Sequence, residues 1–209
     1  MKKEIPMQLI VGIVILLVGA AFLTFEYFWV RLAPVHQAHV AEETLKMLPF
    51  HSDALGVDMQ VAAGFYDKVE SFPGGTKIYR KHWLGADPTI TITSEPNPDH
   101  STEFSPQALA IWETDGVNHN IPRYHFEPTK INDRDAVLIR QGTVKGMLLT
   151  ARVISPERIL TVACSTGGGD QQLYMEACDD TVHTIKLLGP PPEGKAELEN
   201  VTPASPANK

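Results

Sequence analysis

Cys164 and Cys178 are the two cysteines of a 209-residue chain, and each sits in a different hydrophobic pattern. Cys164 alternates with Leu160 and Val162, the period of one face of a strand. Cys178 recurs with Tyr174, Val182, Ile185 and Leu188 at the period of a helix. If strand and helix pack through these faces, the sulfurs come within bonding range. Closing a loop of about 15 residues contributes roughly 3 kcal/mol, provided the compartment is oxidising. Two buried thiols are the alternative, and a redox-active or metal-holding pair is a further one, although no Cys-x-x-Cys spacing is present.

A second group has the residue types for acid–base or metal chemistry. His119, His125 and His100 lie in a loop-rich stretch with Asp115 and Asp99 close in sequence, which would suit a metal-dependent or hydrolytic enzyme built on His119 and His125. Their irregular spacing is that of surface side chains, so the reading predicts no catalytic residue, no bound metal and no cofactor. His36-x-x-His39 offers two imidazoles, but the spacing names no third or fourth ligand. Ser165-Thr166-Gly167-Gly168-Gly169-Asp170 has the glycines of an anion cradle, yet no lysine follows and Asp170 brings negative charge to the helix start. That run reads instead as a connection capped by Asp170, and Ser165 lacks the Gly-x-Ser-x-Gly elbow of a nucleophile. Glu176, Asp179 and Asp180 form a solvated helix face, and Trp83 and Trp112 are core anchors.

The elements that position these residues begin with Met7 to Val30, 24 residues of which 19 are apolar. At about 1.5 Å per residue they span about 36 Å, enough to cross about 30 Å of hydrocarbon. Tyr27, Phe28 and Trp29 follow Phe25 where an aromatic belt meets the headgroups. Lys2 and Lys3 precede the run and one arginine, Arg31, follows it, so the positive-inside rule places residues 1–6 in the cytoplasm and the rest outside the plasma membrane. A cleaved signal peptide shares the basic start, but this run exceeds the usual core of about 7–15 residues and no small-x-small site follows.

Beyond the membrane the pattern predicts a juxtamembrane helical stalk over 31–50, helical from Val35 to Leu48 and ended by Pro49. An extracytoplasmic α+β domain over 51–189 follows, then a disordered tail over 190–209, rich in Pro, Ala, Glu and Asn. In Thr89-Ile90-Thr91-Ile92-Thr93 polar and apolar β-branched residues alternate strictly, as in a strand wet on one face. Ser105 caps and Pro106 opens a helix through Trp112. Arg123–Glu127, Ala136–Val144, Gly146–Ile154 and Arg158–Cys164 are four strand runs separated by turn chemistry, an antiparallel meander. A helix from Asp170 to Leu188 then covers one face of the sheet.

This order of a strand ending near Ile139, a glycine-broken hairpin at Lys145-Gly146, strands at Leu148–Ile154 and Ile159–Cys164, and a closing acidic helix resembles the C-terminal half of the PsbP/Mog1-like α/β/α sandwich. Small bacterial envelope proteins similar to the DcrB group share that fold. The resemblance spans about residues 55–188 and includes no catalytic motif; it implies an antiparallel sheet flanked by helices in an accessory or binding role.

Net charge completes the reading. With 18 basic and 25 acidic residues, a net charge of −7, the chain is a poor match for nucleic acid. The expected partners are the lipid bilayer and a protein of the envelope. The sequence as a whole predicts a single-pass, noncatalytic envelope protein.

Overall fold

The computed structural model describes residues 7–82 and 85–189. The expectations for residues 1–6, the tail 190–209 and Trp83 lie outside the described residues.

The chain begins with α1 (Met7–Tyr27), passes through one π-helical turn over Phe28–Leu32 and continues as α2 (Ala33–Leu45). The π turn has a local cause in Pro34, which has no N–H and whose ring crowds the preceding turn. The ladder re-registers, with the Ala33 N–H donating to Phe28 O five residues back. Inside the apolar run, the Thr24 hydroxyl bonds back to the carbonyl of Ala20 at 2.8 Å, so its polar group is satisfied within the helix.

The stalk is shorter than the pattern predicts. The helix stops at Leu45, and Met47–Ser52 forms strand β1, paired antiparallel with β2 (Val57–Ala62). Pro49 sits inside β1 without breaking it, because β1 is an edge strand whose free side needs no donor there. The folded domain therefore starts at Met47 instead of residue 51.

A turn of 3₁₀ helix (Ala63–Phe65) leads to β3 (Lys68–Phe72), β4 (Gly75–Tyr79) and β5 (Thr89–Pro96). Then come α3 (Pro106–Asn118), β6 (His125–Ile131), β7 (Arg134–Thr143), β8 (Gly146–Ile154), β9 (Arg158–Ser165), α4 (Gln171–His183) and the short β10 (Lys186–Leu187). Seven strands form one antiparallel sheet in the order β3-β4-β5-β9-β8-β7-β6, and β1-β2-β10 form a second. The four-run meander is thus β6 to β9, and β5 completes the centre by pairing β9 from Thr89↔Ser165 to Pro96↔Arg158. The β6–β7 turn is Asn132-Asp133, both at positive φ, the conformation that a two-residue hairpin of matching twist requires.

The main core lies on the α4 face of the large sheet. Ile90 and Ile92 of β5, Leu160, Val162 and Cys164 of β9, and Ala177, Cys178 and Val182 of α4 are all buried there. Thr89, Thr91 and Thr93 face the other way, as the alternation predicts. On that second face a smaller cluster of Phe104, Val137 and Ile154 gathers Leu109 and Trp112 from α3. The fold is therefore α+β, antiparallel sheets flanked by helices, preceded by one long apolar helix.

The last helix also ends earlier than its pattern suggests, at His183. Ile185 still enters the core, but Lys186 and Leu187 pair with Asp58 and Val57 of β2. Beyond that pairing, the threonines at the helix end take over the same strand edge. Thr184 Oγ1 accepts from the Gln60 N–H at 2.9 Å, and Thr181 Oγ1 accepts from the Ala62 N–H at 3.2 Å. The helix ends where its last polar side chains serve donors of β2 that no strand pairs, and of these the Ala62 N–H is buried, where an unmet donor would be costly.

Candidate functional site

Two regions carry most of the residues singled out in the sequence, and a third forms only in the fold. In the first, a continuous helix over Ile10–Leu45 is long and apolar enough to cross a membrane, and none of its most hydrophobic window is buried against the rest of the protein. At about 1.5 Å per residue its 36 residues reach about 54 Å, well beyond about 30 Å of hydrocarbon. Tyr27, Phe28 and Trp29 stand more than half exposed, and the Trp29 ring is 6.0 Å from that of Phe25. At its far end the rod is seated: Thr44 is buried, Leu45 packs against the main core, and Gly64 lies so close that a Cβ there would come within 2.3 Å of Thr44 Cγ2.

The second region is the interface of β9 and α4. Cys164 and Cys178 form a disulfide there with their Cα atoms 5.8 Å apart, and both residues are fully buried. Asp170 caps α4, its Oδ1 accepting from the N–H groups of Gln172 and Leu173 at 3.1 Å each. The end of the helix that would have drawn an anion is thus occupied by the protein's own carboxylate. Asp179 departs from the solvated face assigned to it: Oδ1 accepts from Arg140 Nη2 at 2.7 Å, while Arg140 Nη1 donates to Glu127 at 3.0 Å. Burial by itself would lower the Arg140 pKa, but the bonds to Asp179 and Glu127 outweigh it and raise the value above the ordinary one. The triad ties α4 to β6 and β7. It was hidden in the sequence because its members are 13 and 39 residues apart.

The histidines are dispersed among separate partners. His119 Nδ1 lies 2.9 Å from Asp115 one turn back on α3, His125 Nε2 lies 4.0 Å from Glu127, and His100 Nδ1 lies 2.9 Å from Pro156 O. His36 and His39 stand exposed on α2. Among the described residues no three His, Cys, Asp or Glu side chains come together as a group able to hold a metal ion.

The third region was not visible in the sequence. Between α3 and the end of β5 a cleft of about 400 Å³ opens on the second face of the large sheet. Ile154 and Ile159 form its floor, and Phe104 and Trp112 its α3 wall. The Phe104 and Trp112 rings meet edge to face at 5.1 Å, and the Arg152 guanidinium lies 4.8 Å over the Trp112 ring. The opposite wall is the loop after β5. It is held by buried Asn97, whose Nδ2 donates to Ser101 O and Ser155 O, both at 2.8 Å. Glu95, Asp99 and Glu103 stand along this wall, and all three are exposed. The sequence marks two of these, Trp112 as an anchor and Asp99 as an acid near the histidines, but not their meeting; the acids come from a strand end and a loop held by the Asn97 bonds.

No family model and no curated protein matches the chain. Among solved structures, one from Bacteroides thetaiotaomicron is similar at 12% identity and a TM-score of 0.39, over 68% of this chain and 48% of that one. The chain therefore spans about half the length of that protein. A protein of unknown function from Pseudomonas aeruginosa is similar at 12% identity and a TM-score of 0.36, over 64% of this chain and 91% of that one. Likenesses this slight carry no argument about function.

Proposed function

We propose that the chain is a single-pass, membrane-anchored binding protein without catalytic activity, whose N-terminus is cytoplasmic and whose α+β domain lies outside the plasma membrane and engages a protein partner of the envelope. The observation that carries this reading is the exposed apolar helix running without interruption from Ile10 into the folded domain at Leu45. So much unpartnered apolar surface is unfavourable in water and favourable in a bilayer. Two further observations support it. A buried disulfide suits an oxidising compartment, and the large sheet carries α4 on one face and α3 on the other, the layering of a PsbP/Mog1-like or DcrB-like sandwich.

A reporter active only outside the cytoplasm should work when fused after Leu188 and fail when fused at the N-terminus; the opposite pattern overturns the orientation. Purification after mild detergent extraction should bring down a stoichiometric envelope protein with the full chain. Loss of that protein when the domain is deleted and α1 is kept would place the contact on the domain.

A further inference from the structure

We propose that the cleft between α3 and the loop after β5 is a binding site for a small organic cation, an amine or ammonium group carried on an apolar body. This extends the binding role above to a second kind of ligand and does not depend on the membrane reading.

The volume, about 400 Å³, is at the small end of the range of about 300–1,000 Å³ in which ligand pockets fall. The floor and one wall are apolar, through Ile154, Ile159, Phe104 and Trp112. Such a surface holds an aliphatic or aromatic body but cannot fix its orientation. Orientation has to come from the facing wall, and there the charge is of one sign. Among the described residues Glu95, Asp99 and Glu103 have no basic side chain within 4.0 Å. Their field is not cancelled locally.

Among the described residues Arg152 is the one cation lining the cleft, and its guanidinium lies over the Trp112 ring on the α3 side. Three carboxylates against one guanidinium leave the cleft net negative. An anion is repelled, a neutral molecule gains only the apolar floor, and a cation with an apolar body gains both. Asn97 holds the arrangement through two bonds from Nδ2, one to Ser155 O that ties the acidic loop to the β8–β9 turn and one to Ser101 O that closes the loop on itself. The floor residues Ile154 and Ile159 face each other on the paired strands β8 and β9, so the apolar part of the cleft is carried by the sheet backbone.

The test is calorimetric titration of the full chain in phosphatidylcholine nanodiscs, with empty nanodiscs titrated in parallel to subtract partitioning. The three probes share one body: phenylethylammonium, 2-phenylethanol and phenylacetate. Phenylethylammonium should bind saturably and about tenfold more tightly than the alcohol, with phenylacetate weakest. The combined variant Glu95→Gln, Asp99→Asn, Glu103→Gln changes only exposed side chains, so it should keep the wild-type melting temperature. It should lose about tenfold in affinity for the amine and bind the three probes alike. Equal binding of the three probes to the wild type, an amine signal that does not saturate, or unchanged amine affinity in the variant would each overturn the assignment. None of these outcomes bears on the reporter-fusion result, so the two proposals fail separately.

Discussion

Side chains that touch two elements at once decide the local chemistry of this protein. Cys178 is the plainest case, since its bond to Cys164 joins α4 to the centre of the large sheet at a fully buried point. Cys178→Ser should lose about 2–4 kcal/mol in denaturant unfolding. The wild type, denatured without reductant, should show no thiol that reacts with a maleimide, and finding two would remove the bridge. Thr181 does comparable work without a covalent bond, since its hydroxyl is the acceptor for the buried Ala62 N–H. Thr181→Val keeps the shape and strands that donor, so it should cost about 1–3 kcal/mol. Thr181→Ser, which keeps the acceptor, should cost less. Equal losses for the two would mean that the hydrogen bond contributes nothing.

Tyr66 provides a titration at the same scale. Burial pushes its pKa up to about 12 from the ordinary 10. A raised value in the folded state means that folding favours the protonated phenol. Its contribution is therefore fully present below pH 10 and is lost as pH rises from 10 toward 12. The wild type should lose stability across that window, and Tyr66→Phe, which cannot ionise, should lose less of it. Thermal melts at pH 9, 10, 11 and 12 would compare the two slopes; identical slopes would assign the alkaline loss to other groups.

At the scale of elements, the seat of the long helix on the domain rests on one close approach. Gly64 has no room for a side chain, because an added Cβ would meet Thr44 Cγ2 at 2.3 Å and Tyr174 Cε1 at 3.2 Å. Gly64→Ala should therefore cost about 1–3 kcal/mol through displacement of α2. It should also make the peptide bond after Lys46 more susceptible to trypsin. A variant with wild-type stability and cleavage rate would show that the helix is not held there. The same scale explains why both helices end earlier than their patterns imply. The α2 pattern runs on through Leu48, yet Met47–Ser52 pairs with β2. The α4 pattern runs on through Leu188, yet Lys186 and Leu187 pair with the opposite edge of that strand. A single strand recruits the ends of both helices, and its unpaired backbone groups are the reason.

Across the whole molecule the protein divides into a rod that is unfavourable in water and a domain that is comfortable in it. The helix over Ile10–Leu45 exceeds the hydrocarbon thickness by about 24 Å, the difference between about 54 and about 30 Å. Its second half carries His36, Gln37, His39, Glu42 and Glu43 and is suited to the aqueous side. A helix of this length is enough both to cross the hydrocarbon and to hold the domain away from the headgroups. The full chain should remain with the membrane fraction through alkaline carbonate washing, and a chain beginning at Lys46 should be soluble. Release of the full chain by carbonate would mean that α1 does not span.

Patterns that depend on near neighbours were legible in the linear chain. The apolar run from Met7 to Val30 is contiguous, so its length alone marks a helix able to cross a bilayer. The alternation of Thr89 to Thr93 fixes which side chains point inward, and the Asn132-Asp133 turn sets the register of its hairpin, because both are local consequences of backbone geometry. Cys164 and Cys178 could be matched because each sits on the buried side of its own element. Interactions between distant elements were decided only by the fold. Arg140 reaches Asp179 and Glu127 because α4 crosses the sheet beside β7, Pro49 is tolerated because β1 is an edge strand, and the cleft exists because Asn97 ties one loop to the β8–β9 turn. Periodicity reports which face of an element is buried. It does not report which element will cover that face, since many partners satisfy the same hydrophobic demand and the choice is made by polar groups that must find one another across the folded chain.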